Sequence, residues 1–164
     1  MIIAITNCRS MKQKYECSAE EMYNKSYVFR AQKDFFKETY DKYLILSSKH
    51  GLILPTTIIQ PYESIHLPKV SRVKIEGDWT PEKLDSWVDS VINKVNEVLK
   101  VADRIDFYVT NPYYNLIKKH FKNNSKIRHI KQQRNNPVGQ RKYQEALKMF
   151  LNNNSLEECI SHVT

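Results

Sequence analysis

Short apolar runs at residues 2–6, 43–47 and 106–109 are separated by stretches in which apolar residues recur every three or four positions, and that alternation of strand and helix periods leaves few folds open. Strands joined through helices pair in parallel by right-handed crossovers, because a hairpin leaves no room for a helix between them. The clearest helix start is Thr80-Pro81-Glu82, with a capping hydroxyl, a proline at the first helical position and an acid at the positive dipole end. Leu84, Trp87, Val88, Val91, Ile92, Val95, Val98 and Leu99 then form one apolar stripe, read as packing. Ser18, followed by Glu20 and Glu21, predicts an earlier helix start, with a break near residues 24–26 and a second helix to about Tyr40. Asn111-Pro112 predicts a helix to about Lys122, with Asn111 as its cap. A fourth strand at 127–130, an edge strand at 70–75 and a final helix at 137–151 complete the pattern. The expected class is α/β: a three-layer α/β/α sandwich on a mainly parallel sheet of four to five strands. Residues 1–151 form one domain in this reading and 152–164 a short tail.

Strand 43–47 runs into Ser47-Ser48-Lys49-His50 and is closed by Gly51. In open α/β sheets ligands bind beyond the carboxyl ends of strands, so this cluster, Asn7 and Cys8 after the first strand, and Thr110 and Asn111 after the third define an expected crevice. Free N–H groups at the start of the helix from Pro112 suit an anion there. The competing view is a wet turn in which Gly51 merely supplies a positive φ. Lys49 and His50 are candidate acid–base or phosphate-binding groups, and Cys8, with Lys12 and Lys14 near it, a candidate nucleophile. Against that, small cysteines at strand ends are commonly packing residues. Tyr62 after Pro61 and Tyr114 are candidate ligand contacts, as are Asn111, Asn136 and Gln140. A metal site is not expected, because His50, His66, His120, His129 and His162 lack ligand spacing.

The stretch ILSSKHGL resembles the I-L-S-[AS]-K-x-G-L signature of a small bacterial and phage domain family of unknown function. That family is distantly similar to the peroxide-stress YaaA proteins, and some members of the wider group resemble the uracil-DNA glycosylase fold. The resemblance extends to Cys8, Lys12 and Lys14, Ser18-Ala19, Tyr23, Phe29-Arg30, Pro61-Tyr62, Tyr113-Tyr114 and Val138-Gly139-Gln140, over roughly residues 1–150. Thr110-Asn111 departs from the small Ala-Gly pair more common there. The resemblance implies a glycosylase-like fold and brings no settled activity.

Charge is regional. Between Asp106 and Glu145 there is no acid, while Lys118, Lys119, Lys122, Lys126, Arg128, Lys131, Arg134, Arg141 and Lys142 all occur; these nine exceed the formal net charge of +8, so the rest of the chain sums to −1. Such a segment suits phosphate neutralisation, and interleaved aromatics suit stacking on bases; its alternative is a solvated basic face. No apolar run approaches the roughly 20 residues of a membrane helix. MIIAITN lacks a basic n-region and is too short for a signal peptide, and three cysteines without C-x-x-C spacing suit a reducing compartment. The expectation is a cytoplasmic protein without membrane or cofactor that partners nucleic acid or a nucleotide. Two functions follow: a base glycosylase or base-modifying enzyme, or a non-catalytic nucleic-acid, nucleotide or phage–host interaction protein. The first is weakened because no acid stands at a strand end: Glu63 and Asp78 are loop residues.

Overall fold

The computed structural model describes residues 1–63 and 79–130. Its centre is β1 (Ile2–Asn7), buried along nearly its whole length, as expected of a parallel strand covered on both faces. It is flanked by β3 (Lys42–Ser47) and β6 (Arg104–Tyr108), both parallel to it, with Ile5 opposite Leu44 on one side and Phe107 on the other. Outside β6 lies β7 (Ile127–His129), also parallel, and outside β3 lies β4 (Gly51–Ile53), antiparallel. The order β4-β3-β1-β6-β7 makes a five-stranded, mostly parallel α/β sheet. A second, two-stranded sheet pairs β2 (Cys17–Ser18) with β5 (Ile58–Ile59), which the sequence pattern does not reveal.

The helices begin close to where their caps predict. Ser18 Oγ accepts the Glu21 N–H to open α1 (Ala19–Met22), and Ser26 Oγ accepts the Phe29 N–H to open α2 (Tyr27–Thr39). Helix α2 buries Phe29, Gln32, Phe35 and Phe36, and the Phe36 ring lies 5.8 Å from Tyr43 of β3 and 4.9 Å from Tyr108 of β6. Phe107, alternating with Tyr108, instead meets Tyr114 of α4 (Asn111–Ile117). Helix α3 (Pro81–Leu99) starts at Thr80, whose hydroxyl accepts the Lys83 N–H, and buries Trp87, Val91 and Val95 from the expected stripe.

Three expectations need correction. The chain turns back at Ser47–Gly51 into a β3–β4 hairpin, so the polar cluster is a turn in which Gly51 takes φ +67° as well as a strand end. Thr110, not Asn111, occupies the cap of α4 without a side-chain capping bond, and its carbonyl accepts the Tyr113 and Tyr114 N–H groups at 3.0 and 3.2 Å. That helix stops at Ile117, and Lys118–Phe121 tightens into a 3₁₀ turn before β7. The expected edge strand at 70–75, the helix at 137–151 and the tail lie outside the described residues. Among the described residues, no helix is long and apolar enough to cross a membrane.

Candidate functional site

The chain leaves β1 for β3 on one side and later returns to β6 on the other, so the carboxyl ends of β1 and β6 flank the switch point of the sheet. Asn7 ties these ends together: its Nδ2 donates to the Cys8 carbonyl at 2.9 Å, and its Oδ1 accepts the Thr110 N–H at 3.2 Å. Both polar atoms of Asn7 are thus engaged by backbone, and its role is to tie the carboxyl ends of β1 and β6 together.

A network of hydroxyls lies beside these strand ends. Cys8, 9% exposed, places Sγ 3.2 Å from the Tyr113 hydroxyl, although 105 positions separate the two residues. The Tyr62 hydroxyl lies 2.6 Å from that of buried Tyr23 and 3.2 Å from Ser47 Oγ. Ser47 is completely buried because it organises the turn: its Oγ accepts the N–H groups of Lys49 at 3.2 Å and His50 at 3.1 Å, while its carbonyl accepts Trp87 Nε1–H at 3.0 Å. Ser48 is buried beside the Tyr113 hydroxyl. Burial, before any neighbour, raises the phenols of Tyr23 and Tyr113, and pushes Tyr62 up to about 12. These hydroxyls therefore stay protonated and can donate.

Cations ring the mouth. Lys12 Nζ stands 4.5 Å and Lys49 Nζ 5.2 Å from the centroid of the Tyr62 ring, within cation–π range. Desolvation lowers the Lys12 ammonium, opposed by Cys8 and Glu63 nearby. The His50 ring meets Tyr62 edge-on at 5.3 Å, and burial, then the Lys49 charge, lowers its pKa, which favours the neutral imidazole. Its Nε2 is buried without a hydrogen-bond partner among the described residues. Arg9, 7% exposed, reaches Gln32 Oε1, which also accepts from Thr6 Oγ1 at 2.9 Å. Two ammonium groups thus stand over one tyrosine ring whose hydroxyl belongs to a cluster of protonated hydroxyls, an arrangement whose charge attracts anions.

The model of a family of unknown function, DUF6884, matches residues 3–148. The chain belongs to DUF6884. A search of the curated proteins finds no match. Residues that the resemblance singled out along this DUF6884 chain, Cys8, Lys12, Tyr23, Tyr62 and Tyr113, converge with Ser47, Ser48 and Lys49 on this one cluster. The sequence places Trp87 only in the packing stripe and does not single out Arg9, since a tryptophan on an apolar stripe and an arginine in a polar turn carry no distinguishing signal for a site.

Other candidates fall elsewhere. Asn111 is exposed at the start of α4. Tyr114 stacks on His129, with ring centroids 3.9 Å apart and 13° between planes, and His129 Nε2 lies 2.9 Å from the Val109 carbonyl. Lys118, Lys119 and Lys122 are exposed, but two cations of the basic segment have structural partners. Lys126 Nζ donates to the Ala102 carbonyl at 3.0 Å and to Leu99 at 3.5 Å, closing the end of α3. Arg128 grips the fully buried Asp106 through Nε and Nη2 at 2.8 and 2.9 Å. Asn136, Gln140, Lys131, Arg134, Arg141 and Lys142 lie outside the described residues. Among the described residues, no group of three or more His, Cys, Asp or Glu side chains could hold a metal.

Proposed function

We propose that this DUF6884 chain is a nucleotide- or nucleic-acid-acting protein whose strand-end cleft seats a phosphate against Lys12 and Lys49. The carrying observation is the placement of both ammonium groups on the Tyr62 ring at the mouth of the switch-point crevice. Because cations flank that ring, Tyr62 serves as their platform, and the phosphate is recognised ahead of the base. The reading includes a three-layer α/β/α arrangement similar to uracil-DNA glycosylases, supported by the alternation of Tyr108 towards α2 and Phe107 towards α4. It also includes the kinship with bacterial and phage domains related to YaaA.

Catalysis is the second reading of the same site: a glycosylase-like or base-modifying reaction using Cys8, Lys49 and His50. The Cys8–Tyr113 contact and the proximity of Lys12 to Cys8 favour it. The carboxylate that interacts with this mouth is Glu63, which is exposed and electrostatically coupled to Lys12. That position gives the binding reading precedence over hydrolysis.

Calorimetric titration with thymidine monophosphate, thymidine and inorganic phosphate tests the proposal. The monophosphate should bind, thymidine should not, and Lys12→Ala or Lys49→Ala should each weaken binding about tenfold, as loss of one charge-assisted hydrogen bond implies. Lys49 is exposed, so its replacement should change stability by less than about 1 kcal/mol. Equal affinity for thymidine and its monophosphate would overturn the phosphate assignment. Release of free thymine by the wild type but not by Cys8→Ala would establish the catalytic reading.

A further inference from the structure

Among the described residues of the basic segment, Lys119, Lys122 and Lys126 do not face the strand-end cleft. Helix α4 leaves the carboxyl end of β6, and the 3₁₀ turn that follows carries the chain back to the start of β7. Lys126, immediately before β7, reaches the Leu99 and Ala102 carbonyls, which precede β6. Lys119, Lys122 and Lys126 therefore gather at the amino edge of the sheet, separated from Cys8 and Lys49 by the five-residue length of β6, roughly 16 Å.

A shallow, open depression of about 630 Å³ lies there, with Lys119, His120, Lys122, Asn124, Ser125 and Lys126 among its lining residues. Asn124 Oδ1 accepts the Lys126 N–H at 3.0 Å, so the side chain's remaining polar group is its donating amide. Phe121 is buried and anchors the turn that presents Lys119, His120 and Lys122. Lys126 has a structural task, whereas Lys119 and Lys122 are exposed. The depression thus offers cations and neutral donors to an anion lying on the surface.

We propose that this amino-edge depression is a second phosphate site, and that the two sites together select single-stranded nucleic acid long enough to pass from one edge of the sheet to the other. The inference rests on the cleft reading for its first site, but the depression stands on its own residues. Duplex DNA, with a persistence length of about 150 base pairs, cannot bend around one small domain without a large elastic cost, whereas a single strand can.

The test uses the full chain with thymidine monophosphate, a single-stranded oligothymidylate of about 12 nucleotides and a blunt duplex of the same length, titrated over a salt series. The oligothymidylate should bind tighter than both others. Lys119→Ala/Lys122→Ala should lower its slope of log affinity against log salt by about 1.4, since each phosphate contact on a single strand contributes about 0.7. The same variant should leave the Lys49-dependent component of monophosphate binding unchanged, and Lys126 is spared so that the carbonyls at the end of α3 keep their donor. An unchanged slope in the double variant, or equal affinity for duplex and single strand, would overturn the inference. Loss of monophosphate binding in Lys49→Ala with the Lys119/Lys122 effect intact supports both sites. An Lys119/Lys122 effect on the oligothymidylate without any monophosphate binding would sink the cleft reading and keep the amino-edge site.

Discussion

Replacing Tyr62 separates the two jobs assigned to it. Its hydroxyl bonds inward to Tyr23 and Ser47 at 2.6 and 3.2 Å, while its ring carries Lys12 and Lys49. Tyr62→Phe removes only the hydroxyl. Two neutral hydrogen bonds at a net 0.5–1.5 kcal/mol each set an upper range of about 1–3 kcal/mol. The lower half applies, because Tyr23 keeps its interaction with Ser47. The expected loss is therefore about 1–2 kcal/mol, which at roughly 2 kcal/mol per molar urea moves the unfolding midpoint down by about 0.5–1 M. Monophosphate affinity should change less than about twofold, since the cation–π platform survives. Tyr62→Leu removes the ring as well, and two cation–π contacts of about 0.5–1 kcal/mol each correspond to a roughly five- to thirtyfold loss of affinity. Urea denaturation and calorimetry on both variants measure the two effects. If Tyr62→Phe loses as much affinity as Tyr62→Leu, the hydroxyl contacts the ligand and the platform argument is wrong; if it loses no stability, the inward hydrogen bonds are not holding the loop.

Arg128→Ala should cost about 3 kcal/mol or more, because Asp106 is fully buried and would lose its two-pronged partner while retaining Arg104 and Tyr40; a shift below about 1 kcal/mol in urea would mean that those two suffice. His50 gives a pH dependence of definite sign. Its folded pKa lies below the usual value of about 6.5, so its contribution is present above that pH and lost as pH falls through the lower folded value. Wild-type stability should accordingly fall more steeply than that of His50→Gln on acidification below pH 6.5, and parallel profiles would contradict the burial of the imidazole.

Local chemistry in the sequence determined most of the elements. Ser18, Ser26 and Thr80 start helices because their hydroxyls accept N–H groups within the next turn, and continuous apolar runs make β1 and β3 buried parallel strands. Cap preferences and apolar patterning act over a few residues and are readable without a partner. The residues of the candidate site were legible too, through the resemblance, but as scattered positions. Only tertiary structure decided that Cys8 meets Tyr113, that Tyr62 carries two lysines, and that the serine-rich turn folds back as a hairpin. The basic segment makes the same distinction. Its charge is plain in the sequence, yet the fold draws Arg128 onto a buried carboxylate and Lys126 onto the end of α3, leaving Lys118, Lys119 and Lys122 exposed. A charge count cannot distinguish these fates, because each depends on what the crossovers bring within hydrogen-bond distance.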